Sequence, residues 1–98
     1  MIDAYLVTDT AWKRRKDGGF RETEYEAPQT IKTRWFPKTQ QVSNEAGQMI
    51  GSDTVVQTKA DVQIGDLLTE ANGDEWPVIS VAEYLDLGGE VQFYEAYL

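Results

Sequence analysis

Few side chains in this 98-residue chain can do chemistry. It holds no Cys and no His, so disulfides, cysteine nucleophiles and thiolate metal sites are excluded, and zinc loses its usual ligands. The same absence removes His-based acid–base catalysis and the Ser-His-Asp triad. Asp, Glu, Lys and Tyr remain. The densest acidic group is Glu70, Asp74 and Glu75, around the Asn72-Gly73 dipeptide. It lacks the ligand spacing of a calcium loop. Paired carboxylates could hydrolyse a glycosidic bond if they flanked a sugar, but nothing pairs these acids in a cleft. They read as solvated turn acids forming an acidic assembly face. Neither an enzyme, a metal site nor a cofactor is expected.

A second group combines cations with aromatics. Trp12-Lys13-Arg14-Arg15-Lys16 meets Phe20, Arg21 and Tyr25 across Asp17-Gly18-Gly19. With Gly18-Gly19 as a two-residue hairpin loop, Arg15 faces Glu22, Lys13 faces Glu24 and Trp12 faces Tyr25. Cross-strand pairs of this kind stabilise by about 0.2–1 kcal/mol each. The arm has few aliphatic residues, and an isolated two-stranded hairpin is marginal in water. Residues 12–25 are therefore expected to project as an arm that orders against a partner, with Trp12, Lys13, Arg14, Arg15, Lys16, Phe20, Arg21 and Tyr25 as its interface. The basic run could grip acidic protein or touch DNA phosphate. Trp35 and Trp76, within apolar strands, are expected in the core.

The elements that must hold these residues are short apolar runs cut by glycine turns. Ile2 to Thr8 suits a first strand with mixed faces. Ala27-Pro28 ends the arm. Gln29 to Phe36 alternates Ile31, Thr33 and Trp35 against Lys32, Arg34 and Phe36, and Pro37 closes that strand. Asn44-Glu45-Ala46-Gly47 fits a type I turn followed by a left-handed glycine, and Thr54 to Thr58 is β-prone. Asp61-Val62-Gln63-Ile64-Gly65-Asp66 reads as a turn, since Gly65 weakens the competing helix over residues 59–71. Asn72-Gly73 is a strong hairpin signal joining Leu67–Thr69 to Trp76–Ala82; a two-residue loop there sets Glu70 opposite Glu75. Gly88-Gly89 leads into Val91–Leu98. The expected fold is all-β: one domain, 1–98, a small antiparallel β-barrel or sandwich of about six or seven strands, with body 27–98 and a protruding N-terminal hairpin.

Charge divides along the chain. Residues 1–38 hold eight bases and six acids, a balance of +2, whereas residues 39–98 hold Lys59 against eleven acids, a balance of −10. The acidic total disfavours tight nonspecific DNA binding. Two oppositely charged faces would suit head-to-tail docking of copies or charged partners. No apolar run approaches the roughly 20 residues of a membrane span, and the N-terminus lacks a secretory pattern. The chain is expected to be soluble and cytosolic.

The order of these features carries a resemblance. The arm ends in Pro28; then come Thr30-Ile31-Lys32-Thr33-Arg34-Trp35, Glu45-Ala46-Gly47, Thr54–Thr58, Val62-Gln63-Ile64-Gly65-Asp66-Leu67, Val78-Ile79-Ser80-Val81, Asp86-Leu87-Gly88-Gly89 and Tyr94-Glu95-Ala96-Tyr97-Leu98. From Ala27 onward this resembles the small head–tail connector proteins of tailed bacteriophages, also called head-completion, head-closure or minor capsid proteins. Its motifs are loose, chiefly the Ile-Gly-Asp turn and the Asp-Leu-Gly turn. The resemblance implies a non-catalytic barrel subunit in the virion, made in the host cytoplasm. It would form a ring, commonly dodecameric, below the portal, close the DNA-filled head and receive the tail. Its partners would be copies of itself, the portal or adaptor protein, a tail protein and possible packaged DNA in the channel. A hairpin projects from such barrels, and residues 12–25 occupy the corresponding place. The alternative is a nucleic-acid-binding barrel of the OB or SH3-like kind, with aromatics as a stacking platform.

Overall fold

The computed structural model describes residues 2–16 and 24–98. After a 3-10 turn at Ile2–Tyr5 come nine strands: β1 (Thr8–Lys13), β2 (Arg15–Lys16), β3 (Glu24–Tyr25), β4 (Gln29–Ser43), β5 (Met49–Thr58), β6 (Leu67–Thr69), β7 (Glu75–Pro77), β8 (Ser80–Leu85) and β9 (Val91–Tyr97). Seven form one antiparallel sheet in the order β7-β6-β1-β4-β5-β9-β8, and β2 pairs with β3 separately. The all-β expectation holds.

The first strand starts later than the sequence suggested. Residues 2–5 are a 3-10 turn, and the inward alternation is Leu6, Thr10 and Trp12, all buried. β1 enters the middle of the sheet, with Trp12 opposite Gln29 of β4 and Leu68 of β6. The expected single strand Trp76–Ala82 is instead two strands at opposite edges of the sheet, β7 and β8, separated only by Val78 and Ile79. Two residues span about 7 Å at most, so the sheet must roll until its edges almost meet. The link is bonded to both sides: the Val78 N–H donates to the Asp66 carbonyl, the Gly65 N–H to the Val78 carbonyl, and the Ile79 N–H to the Tyr97 carbonyl. Inside the roll lie Trp12, Val56, Val62, Leu68, Val78, Ala96 and Leu98, with Ile31, Trp35, Ala60 and Val81 packed against them.

Strand β4 does not stop at Pro37. Its ladder with β5 is interrupted between Pro37 and Gln40 and resumes to Ser43 opposite Met49. A straight strand of 15 residues would be about 50 Å long at roughly 3.3 Å per residue, yet the longest dimension of the molecule is 42 Å. The interruption is where β4 bends, as bulges permit. The alternation of β4 is as expected, with Thr33 and Trp35 turned inward and Arg34 outward.

The turn at Asn44–Gly47 also has the expected form, with a Gly47 N–H to Asn44 carbonyl bond and Gly47 at φ +81. The Asn72-Gly73 turn differs. A two-residue type I′ loop needs positive φ at both central residues, and Asn72 does not have it: no non-glycine residue described has positive φ. The bond instead runs from Gly73 N–H to the Glu70 carbonyl, repeating the Asn44–Gly47 pattern. This moves the register by one residue and places Glu75 opposite Thr69 rather than opposite Glu70.

Candidate functional site

Trp12 corrects the picture of residues 12–25 as an arm without a core. Its ring is 7% exposed, inside the core cluster, and its indole N–H donates to Asp66 Oδ2 at 2.9 Å. The magnitudes explain the choice. Burying a large apolar side chain is worth about 1.5–3 kcal/mol, more than the roughly 0.2–1 kcal/mol of a Trp12–Tyr25 cross-strand pair. With Trp12 and Lys13 held in β1, the hairpin begins only at Arg15. Its register moves accordingly, so that Arg15 faces Tyr25 and Lys16 faces Glu24. Lys13 faces Leu67, not Glu24. Phe20, Arg21 and Glu22 lie outside the described residues.

Asp66 is the centre of this junction. It is 1% exposed, and its carboxylate accepts three hydrogen bonds from three segments or loops. Trp12 Nε1 and the Gln63 N–H share Oδ2 at 2.9 Å each, and the Arg15 N–H reaches Oδ1 at 2.8 Å. A buried carboxylate is tolerable when its oxygens are so occupied. The tight turn that brings it there has an Asp66 N–H to Gln63 carbonyl bond and Gly65 at φ +91, the type II pattern that calls for glycine. A Cβ on Gly65 would also overlap the Arg15 guanidinium. The Ile-Gly-Asp motif is thus a fastening for the end of β1. Its role was invisible in sequence because Trp12 and Arg15 lie 54 and 51 positions away.

The basic run is engaged within the chain. Lys13 Nζ pairs with Glu75 at 2.8 Å. Arg14 donates to the Asp61 carbonyl, lies 3.8 Å from the Asp61 carboxylate and stacks its guanidinium over the Trp12 ring at 4.9 Å. Arg15 grips Glu45 with both terminal nitrogens, at 3.1 and 3.2 Å. That contact joins β2 to the far tip of the β4–β5 hairpin, and the Arg15 guanidinium holds the Glu45 carboxyl below its usual range. Three bases of the N-terminal segment therefore meet three acids of the C-terminal one. Lys16 is exposed and Tyr25 half-buried.

The expected acidic face is dispersed in its contacts. Glu75 belongs to Lys13, Asp74 accepts from the Asn72 side-chain amide at 3.1 Å, and Glu70 is half-buried. Glu70 lines a pocket of about 350 Å³ with Thr8, Trp35, Phe36, Pro37, Thr54 and Ala71. Among the described residues no group of three or more acids is placed to hold a metal ion. Trp12 and Trp76 exchange places relative to expectation, while Trp35 packs against the core. Trp12 is core, Trp35 is half-buried and donates to Thr10 Oγ1 at 2.9 Å, and Trp76 on edge strand β7 is 43% exposed.

Sequence reading also missed the outward face of β4, β5, β8 and β9. On β4, Arg34 lies over the rings of Tyr5 and Phe36, at 5.6 and 5.0 Å. On β8 and β9, Tyr84 stacks on Phe93 with centroids 4.7 Å apart, and the Tyr84 and Tyr97 hydroxyls donate to Glu95 Oε1 at 2.9 and 3.0 Å. Gln57 Nε2 donates to Glu95 Oε2 at 2.8 Å. The bond to Glu95 raises the Tyr84 phenol, and burial, followed by the same carboxylate, raises that of Tyr97. The outward alternation was legible; which outward residues become neighbours required the strand order. Comparison with protein-family models, with curated proteins and with solved structures finds no match.

Proposed function

We propose that this chain is a structural, non-catalytic subunit of the head–tail connector of a tailed bacteriophage, assembling as a ring below the portal and offering a docking surface to the tail. The reading rests on the resemblance in motif order. The single physical observation behind it is the charge split, +2 over residues 1–38 and −10 over residues 39–98. A ring built head-to-tail needs two different surfaces on each copy, and an uneven charge along the chain suits that need, although Lys13, Arg14 and Arg15 are paired within the chain. The proposed setting is the virion, after synthesis in the host cytoplasm. The basic run favours the alternative of a nucleic-acid-binding barrel less, since Trp12 faces the core and Lys13, Arg14 and Arg15 each pair with an acid of the same chain.

The arm reading now has narrower bounds. Deleting residues 13–25 would remove the end of β1 and the Arg15–Asp66 bond. Replacing residues 17–23 by a short Gly-Ser linker spares both and is the cleaner test. The purified chain is expected to be retained by portal rings from the phage that encodes it, and the linker variant to fold but bind less. Failure of the intact chain to bind portal or tail proteins, with a salt-sensitive shift of single-stranded DNA, would favour the alternative.

A further inference from the structure

Two exposed surfaces on different strands of the sheet stand out. The first lies on β1, β4 and the 3-10 turn. Arg34 lies over the rings of Tyr5 and Phe36, and Val7 precedes the first β1–β4 pair, Thr8 opposite Thr33. Val7 is 74% exposed and Tyr5 59%. Arg34 is exposed, held between two rings, with no carboxylate at ion-pair distance among the described residues. The second is the β8–β9 hairpin. Its turn is built by Asp86, whose Oδ1 accepts the Gly88 and Glu90 N–H groups at 2.8 and 3.0 Å. This turn presents Leu87 fully to solvent, flanked by exposed Tyr84, Leu85 and Val91. Residues 80–98 carry Glu83, Asp86, Glu90 and Glu95 and no base.

Clustered exposed apolar side chains rimmed by charge mark interaction sites. Here the two clusters have opposite charge, one centred on an arginine and one purely acidic. Their directions also differ. β4 and β8 stand three steps apart in the strand order, and in a sheet that rolls, strands so separated turn their outer faces in different directions. Complementary patches facing in different directions suit head-to-tail contact, in which each copy uses both.

We propose that the Tyr5–Val7–Arg34 patch of one copy docks on the Leu87-tipped β8–β9 hairpin of the next copy. This deepens the ring reading and rests on it for its biological setting, though the contact can be tested alone. Sedimentation velocity of the purified chain over a wide concentration range is the experiment, with circular dichroism to verify folding. Arg34→Glu and Leu87→Asp, both at exposed side chains, are each expected to weaken self-association at least tenfold. Mixing them is decisive. Each variant keeps one intact surface, so the mixture should form a dimer that stops growing, restoring affinity to within a fewfold of the parent contact.

A parent chain that stays monomeric at the highest concentration, or oligomers that both variants leave unchanged, would overturn the inference. So would a mixture with no dimer. The connector reading is judged separately by portal retention. Capped dimers without portal binding would sink that reading and leave this contact standing; portal binding with variants indistinguishable from the parent would do the reverse.

Discussion

Asp66 shows how one residue can be essential without being reactive. Its carboxylate accepts from Trp12, Arg15 and Gln63, while its own backbone carbonyl accepts from Val78. Removing the side chain orphans the buried Trp12 indole N–H and two part-buried backbone N–H groups, and a buried orphan costs about 1–3 kcal/mol. Asp66→Ala should therefore destabilise the fold by roughly 2–3 kcal/mol, read as a lower urea midpoint. Glu75→Ala breaks only the partly exposed Lys13 pair, and such pairs contribute about 0–1 kcal/mol. A similar midpoint for both variants would refute the central place given to Asp66. The sequence suggested a turn at Asp61–Asp66. The bond to Trp12 spans 54 positions, beyond the reach of any local pattern.

Among the elements, hairpins were the most legible and their registers the least. A type I turn with a left-handed glycine was expected at Asn44–Gly47 and is found there. The same geometry recurs at Glu70–Gly73 and Asp86–Gly89. At Asn72-Gly73 local preference favoured the tighter loop, and the ladder of Leu68 opposite Trp76 decided otherwise. The β4–β5 hairpin has a pH-dependent tie. Arg15 lowers the Glu45 carboxyl below its ordinary value of 4.5, first by hydrogen bonding and then by charge. A lowered folded-state value means that the tie is fully present above about pH 4.5 and is lost as pH falls through the lowered value. Titrating the Glu45 side-chain carboxyl by NMR should give a midpoint below 4.5 in the parent, restored towards that value in Arg15→Gln. Equal midpoints in the two proteins would argue that the hairpin tip is not held by Arg15. Glu45 lies at the surface, so the effect is expected in local order rather than in global stability.

At the scale of the molecule, the Val78-Ile79 link makes the roll cooperative. Its amides donate to Asp66 on one side and Tyr97 on the other, and Val78 is buried in the core. Hydrogen exchange at Val78 and Ile79 is expected only through global unfolding, with protection equal to the full stability. Fast exchange there, beside slow exchange in β4 and β5, would mean that the edges separate while the sheet survives. Charge at this scale acts partly inward. The N-terminal bases Lys13, Arg14 and Arg15 meet Glu75, Asp61 and Glu45 of the same chain, whereas Lys16, Arg34, Lys38 and the β8–β9 acids stay at the surface.

The sequence by itself determined the chemistry that is excluded, through the absence of Cys and His. It also determined the all-β class, the glycine turns and the inward alternation of β4, because these follow from residue type and a period of two. Tertiary structure alone decided where Trp12, Trp35 and Trp76 lie, since a tryptophan is buried by whichever strands flank it and strand order is not a local property. It likewise decided that the run Trp76–Ala82 divides between two edges, because only closure of the roll gives Val78 and Ile79 hydrogen-bond partners on both sides.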